Sequence, residues 1–157
     1  MRLFLALDIN QQDKGAIDAW RSEFISTNAK AVPANNFHIT LSFIGQREEE
    51  DLEALVCDIN DRLSSISKPQ FQENITLTAL GLFKKPKVLY LSIASIPSWL
   101  NDIATVLLPL SSTPERLYHP HLTLYRKANL VPDCQSFNHT LAVKSFSLYH
   151  SISSNDG

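Results

Sequence analysis

Apolar residues recur along this chain with two spacings, one of period two and one close to four. In RLFLALDI, Leu3, Leu5 and Leu7 alternate with Phe4, Ala6 and Asp8, the signature of a mostly apolar, central strand. Asn10 can then cap a helix whose apolar face is Ile17, Trp20, Phe24 and Ile25. A loop around NAKAVPANN leads into a second strand, FHITLSF. In EEEDLEALVCDINDRL, Leu52, Leu55, Val56, Ile59 and Leu63 fall at helical spacing behind an acidic first turn, which suits the positive end of a helix dipole. NITLTALGLF reads as a third strand.

The same order then returns. KVLYLSIA is a strand, and Ser95 or Ser98 with Pro97 opens a helix striped by Leu100, Ile103, Ala104 and Leu107. A loop with Pro109, Pro114 and Pro120 leads into HLTLY, and TLAVKSFSLYHS closes the series as another strand after an irregular KANLVPDCQSFNH. His38 lies 36 positions after Arg2, and His121 lies 34 after Lys87. The halves, about 2–83 and 87–150, therefore match in element order and length. The expectation is one domain over residues 1–157 of class α+β: two intertwined lobes related by a pseudo-twofold, with two antiparallel-rich sheets lining a central cleft and helices outside.

Each half carries the same short motif, His38-Ile39-Thr40 and His121-Leu122-Thr123. On a strand, side chains two apart share a face. His38, Thr40 and Ser42 should therefore oppose the apolar Phe37, Ile39, Leu41 and Phe43, and His121, Thr123 and Tyr125 should oppose Leu122 and Leu124. A twofold would bring the two polar faces together. One neutral imidazole can then take a proton from water while the other, protonated, gives one to a leaving oxygen. Threonine hydroxyls can hold the oxygens of a phosphate between them. One His-x-Thr in a strand is ordinary; two at matching points, in a chain with five histidines, are not. No metal or other cofactor is needed. His119-Pro120-His121 has the spacing of a metal-binding pair but lacks a nearby acidic third ligand. His139 and His150 read as ordinary surface or hydrogen-bonded side chains.

Composition narrows the setting. The formal charge is −2 over 157 residues, too acidic for a protein that coats long nucleic acid, though one positive pocket can still hold a phosphate. Cys57 and Cys134 make neither a disulfide framework nor a close metal pair. The N-terminus lacks the features of a signal peptide, and no apolar run reaches the ~20 residues of a membrane span. A cytoplasmic monomer is expected.

These features resemble the two-histidine (2H) phosphoesterase superfamily, most closely the bacterial RNA 2′,3′-cyclic phosphodiesterases once called 2′-5′ RNA ligases. The resemblance runs through RLFLALDI, NFHITLSFIG, GLFKKPKVLYLSI, HPHLTLYR and VKSFSLYHS. It implies a bilobal fold that hydrolyses the cyclic phosphate of an RNA 3′ end to a 2′-phosphate, possible in reverse as 2′-5′ ligation. It also implies His38 as proton donor, His121 as proton acceptor, Thr40 and Thr123 as phosphate-holding hydroxyls, Phe43 as a base-stacking ring and Arg126 as a phosphate-binding cation. RNA 3′ ends or small nucleotides with a cyclic phosphate are the implied partners. Strict alternation turns Phe43 and Arg126 toward the core, so their roles require a bulge or strand end. Lys84, Lys85 and Lys87 form a basic turn that either guides RNA or is simply solvated, and Tyr125 would narrow the cleft. The family's chains continue past SNDG with a further strand. The alternatives are a phosphodiesterase acting on 2′-5′ oligoadenylate or another cyclic nucleotide, and a non-catalytic RNA- or nucleotide-binding module.

Overall fold

The computed structural model describes residues 1–66, 74–134 and 136–152; the SNDG segment lies outside these. Among the described residues the elements are β1 (Arg2–Leu7), α1 (Gln11–Phe24), β2 (Lys30–Ala31), β3 (Ile39–Gln46), α2 (Leu52–Leu63), β4 (Ile75–Phe83), β5 (Val88–Ile93), α3 (Ser98–Leu107), β6 (His121–Arg126), β7 (His139–Leu141) and β8 (Phe146–Ser151). Asn10 caps α1, its Oδ1 accepting from the Asp13 amide at 2.7 Å. The stripe Leu100, Ile103, Ala104 and Leu107 is buried, as its spacing predicts. Val56 differs: only Leu55 and Ile59 of α2 are buried, because α2 covers α3 along a narrow seam and leaves Val56 at its margin.

The class is α+β and the strands pair antiparallel. The two expected sheets are joined, following the path β7-β4-β5-β6-β3-β1-β8 with β2 beside β6. Among the described residues the join is a single bridge, Ile39 to Leu122. Strands also cross between the halves of the sequence: β4 pairs with β5, and β8 pairs with β1. A flat path of seven strands would separate β7 from β8 by about 29 Å. Residues 142–145 alone connect Leu141 to Phe146, a reach of about 18 Å. The sheet is therefore folded rather than flat, and the lone bridge at its centre is its weakest joint. The one long strand expected over TLAVKSFSLYHS is split for the same reason, since the chain must pass from the β4 edge to the β1 edge. The turn is tied to α1, where Asp13 accepts from the Ala142 amide and lies 2.8 Å from His139 Nε2.

Both motif strands bulge at equivalent places. Leu5 faces Ser42 and Ala6 faces Thr40, leaving Leu41 extra; Leu89 faces Tyr125 and Tyr90 faces Thr123, leaving Leu124 extra. A bulge reverses the alternation beyond it. Ser42 and Tyr125, expected on the polar face, are consequently buried, so Tyr125 does not narrow a cleft. Phe43 and Arg126, expected on the core side, are exposed. Behind β6, the buried Arg21 of α1 donates from Nη1 to the Leu124 carbonyl at 2.9 Å and pairs with Asp18. Its guanidinium lies over the Phe37 ring at 4.6 Å and near that of Tyr125 at 5.4 Å. One side chain thus braces both motif strands.

Two stability changes follow. Arg21→Met keeps the volume but removes the charged one of two donors to the Leu124 carbonyl, leaving the Val32 amide, and should cost about 1–3 kcal/mol in urea unfolding. The buried Ser42 hydroxyl has no partner among the described residues, so Ser42→Ala should leave stability unchanged or raise it by about 1 kcal/mol.

Candidate active site

The Ile39–Leu122 bridge organises the site. Continuing its antiparallel register by one residue each way sets His38 across from Thr123 and His121 across from Thr40. The histidines then lie on a diagonal, a separation of about 7–8 Å between residues, with the Cβ atoms somewhat closer. All four side chains are half-buried, and neither threonine hydroxyl has a protein partner among the described residues. The apolar neighbours Ile39, Leu41, Leu122 and Leu124 turn to the opposite face and are buried.

Each imidazole is held in the same way. His38 Nδ1 lies 2.7 Å from the Asn36 carbonyl, and His121 Nδ1 lies 2.8 Å from the His119 carbonyl. A carbonyl only accepts, so Nδ1 carries the hydrogen and Nε2 is left to exchange a proton with a bound molecule. On the His38 side, the acceptor sits in a helical turn, Ala34–Asn36, packed on α1, and Lys14 Nζ donates to the neighbouring Asn35 carbonyl at 2.9 Å. On the other side, the Tyr118 hydroxyl reaches across to the Thr40 carbonyl at 3.0 Å.

Burial is the largest influence on both rings and lowers their pKa below the ordinary 6.5; the carbonyl bonds oppose it. The charges of Arg126 and Lys14 lower His38 further, while those of His119 and His38 lower His121. The two histidines therefore sense each other, and the pair holds one proton more readily than two. A cleft with one imidazole charged and one neutral can donate a proton to one oxygen while accepting one from another.

The bulges decide the two remaining positions singled out in the sequence. Phe43 reaches the histidine side, 6.5 Å from the Phe4 ring, which itself lies 4.9 Å from His38. Arg126 is exposed, has no carboxylate partner among the described residues, and its charge is felt at His38. Sequence reasoning missed the aromatic surroundings: Phe4 with Tyr149 beside His38, and Phe83 with Tyr90 beside His121. The signal was present, since Phe4 and Tyr90 are large rings interrupting leucine runs at every second position. Asp8 was missed too. Burial pushes its carboxyl up, but hydrogen bonds from Tyr149, Ser145 and Ser147 and the charge of Lys14 outweigh this and hold it below the usual range. Among the described residues no group of three or more His, Cys, Asp or Glu is placed to hold a metal. No helix among them is long and apolar enough to cross a membrane.

An antiparallel α+β fold that sets two His-x-Thr strands side by side is the architecture of a phosphoesterase class. The family described as LigT-like phosphoesterase matches residues 7–90, and the chain belongs to it. It is 31% identical to the RNA 2′,3′-cyclic phosphodiesterase of Escherichia coli K12, over 96% of this chain and 86% of that one. To the Methanocaldococcus jannaschii protein of the same name it is 31% identical, over 80% of this chain and 71% of that one. The crystal structure of E. coli LigT complexed with 3′-AMP superposes with a TM-score of 0.80 at 28% identity, covering 98% of this chain and 90% of that one.

Because both folded-state pKa values are lowered, the unfolded chain binds these protons more readily. Stability should therefore be full above pH 6.5 and fall as pH drops through the two folded-state values. In NMR titration both rings should change charge below pH 6.5, and His38→Gln/His121→Gln should flatten the acid-side loss of the urea midpoint.

Proposed function

We propose that this protein hydrolyses 2′,3′-cyclic phosphate at RNA 3′ ends to a 2′-phosphate, by acid–base catalysis between His38 and His121. The observation that carries the reading is the matched pair of half-buried imidazoles, each held at Nδ1 by a carbonyl and meeting across one backbone bridge. The activity named for the E. coli and M. jannaschii relatives supports it, as does the nucleotide bound in the LigT crystal structure.

His121 Nε2 takes a proton from water as the water oxygen bonds to phosphorus. The bond from phosphorus to O3′ breaks, and His38 Nε2 gives its proton to that oxygen, leaving a free 3′-hydroxyl and a 2′-phosphate. Thr40 and Thr123 donate to the non-bridging oxygens, where charge concentrates in the transition state. Arg126 adds a forked cation for the phosphate, and Phe43 with Phe4 offers a surface on which any base can stack. The phosphate's own negative charge favours the protonated form of His38, offsetting the burial that otherwise discharges it. Both histidines come from one chain, so a monomer suffices, and an RNA-end substrate fits a cytoplasmic address.

The test is an oligonucleotide ending in a 2′,3′-cyclic phosphate, incubated with protein and chelator and resolved by chromatography. A 2′-phosphate product is expected, and His38→Ala or His121→Ala should each lower turnover by about 10²-fold or more. A 3′-phosphate product would reverse the oxygen assigned to His38. Near-normal turnover in either variant would remove that residue from its role.

A further inference from the structure

The two histidines are not supported equally. His121 is met by three rings, Phe83 at 4.9 Å, Tyr90 at 5.3 Å and His119 at 5.9 Å. Among the described residues His38 meets one, Phe4, at 4.9 Å. Phe4 rests in turn on Tyr149, with ring centres 5.5 Å apart and planes within 17°. Tyr149 stands on β8 with 37% of its surface exposed, so packing alone constrains its ring weakly.

Asp8 supplies the missing constraint. Leu3, Leu5 and Leu7 of β1 are buried in the core, which turns Phe4, Ala6 and Asp8 to the histidine side. On β8, Ser147 pairs with Ala6 and Tyr149 with Phe4. Ala6 and Ser147 are small, so the two large rings can lie along the strands above them. The Tyr149 hydroxyl thereby reaches Asp8, four positions from its own partner Phe4, and donates to Oδ1. The hydroxyls of Ser145 and Ser147 donate to Oδ2 at 2.7 and 2.8 Å. Burial first, and then the Asp8 carboxylate, push the Tyr149 hydroxyl up to about 12, so it remains a donor. The strands themselves do not require these bonds. β1 and β8 pair residue by residue from Arg2–Ser151 to Leu7–Phe146, and the Asp8 amide donates to the Ser145 carbonyl at 3.0 Å. What the carboxylate adds is a fixed direction for the Tyr149 ring.

We infer that Asp8 is a positioning residue for His38: it holds the Tyr149 ring flat against Phe4 and so fixes the surface on which the His38 imidazole rests. This rests on the role proposed above for His38. The bond from Nδ1 to the Asn36 carbonyl gives the imidazole one point of attachment, and Phe4 gives it a second. With both in place, Nε2 points to one spot in the cleft. A proton donor must come within about 2.6–3.2 Å of its oxygen, and a misplacement of about 1 Å lowers the rate on the order of 10²-fold.

The test compares Tyr149→Phe, Asp8→Ala, the two combined, and Asp8→Asn in the full chain. The substrate is a dinucleotide ending in a 2′,3′-cyclic phosphate. Tyr149→Phe keeps the ring and loses only its hydroxyl, so it leaves the fold intact. It and Asp8→Ala should each lower kcat about tenfold while KM stays within about twofold. The combined variant should be no slower than either alone, because the two side chains act as one unit. Asp8→Asn keeps an acceptor for Tyr149 and should recover most of the loss. A readout without turnover is the NMR signal of His38 Hε1, which the Phe4 ring shifts. It should move toward its unfolded-chain position in Tyr149→Phe and stay in place in Asp8→Asn. A raised KM with kcat unchanged would make the pair a substrate contact and overturn the inference. Additive losses, a His38 signal unmoved in Tyr149→Phe, or an Asp8→Asn as slow as Asp8→Ala would overturn it too. Absence of hydrolysis in the unaltered chain would overturn the proposed activity, and the His38 signal would then decide the positioning alone.

Discussion

A single backbone bridge, Ile39 to Leu122, determines the rest of this molecule's chemistry. Among the described residues it is the one strand pairing between the two sheet halves, and it falls on the central residue of each His-x-Thr. Antiparallel pairing at that point places each histidine opposite the other strand's threonine without any further device. Such a joint is weak alone, so it is braced from behind by the buried Arg21, which reaches the Leu124 carbonyl and covers Phe37. From in front, Tyr118 ties the second half to the Thr40 carbonyl. Both braces act on backbone next to the motif and leave the histidine Nε2 atoms free.

The electrostatics follow from the same placement. Half-burial penalises the charged imidazoles, and proximity makes a second proton costlier than the first. A pair that shares one proton is what acid–base exchange across one phosphorus requires. The carbonyl bonds at Nδ1 fix the tautomer as well as the orientation, so the same nitrogen serves in either protonation state.

Much of this was legible in the chain. The strands and helices follow from period-two and period-four spacing, and the α1 cap from Asn10. His38, Thr40, His121 and Thr123 stand out because the motif recurs at matching points of a repeat. Phe43 and Arg126 were legible as equivalent positions but not as cleft residues, since alternation gave them the wrong face. Leu41 and Leu124, the extra residues of the bulges, look like ordinary strand leucines; nothing local marks them, because a bulge is set by the pairing partner. For the same reason Ser42 and Tyr125 read as polar-face residues although the folded strands bury both.

The sequence by itself determined the periodicities, the repeat and the paired chemistry, because these depend on side-chain identity and spacing along one chain. Tertiary structure alone decided that the halves exchange strands, that the sheet folds about one bridge, and that each histidine gains its own aromatic surface. Those outcomes depend on register between residues such as Ile39 and Leu122 or Gly81 and Tyr90. Register is settled by which pairing buries the leucines of both strands at once, a condition that no single segment carries.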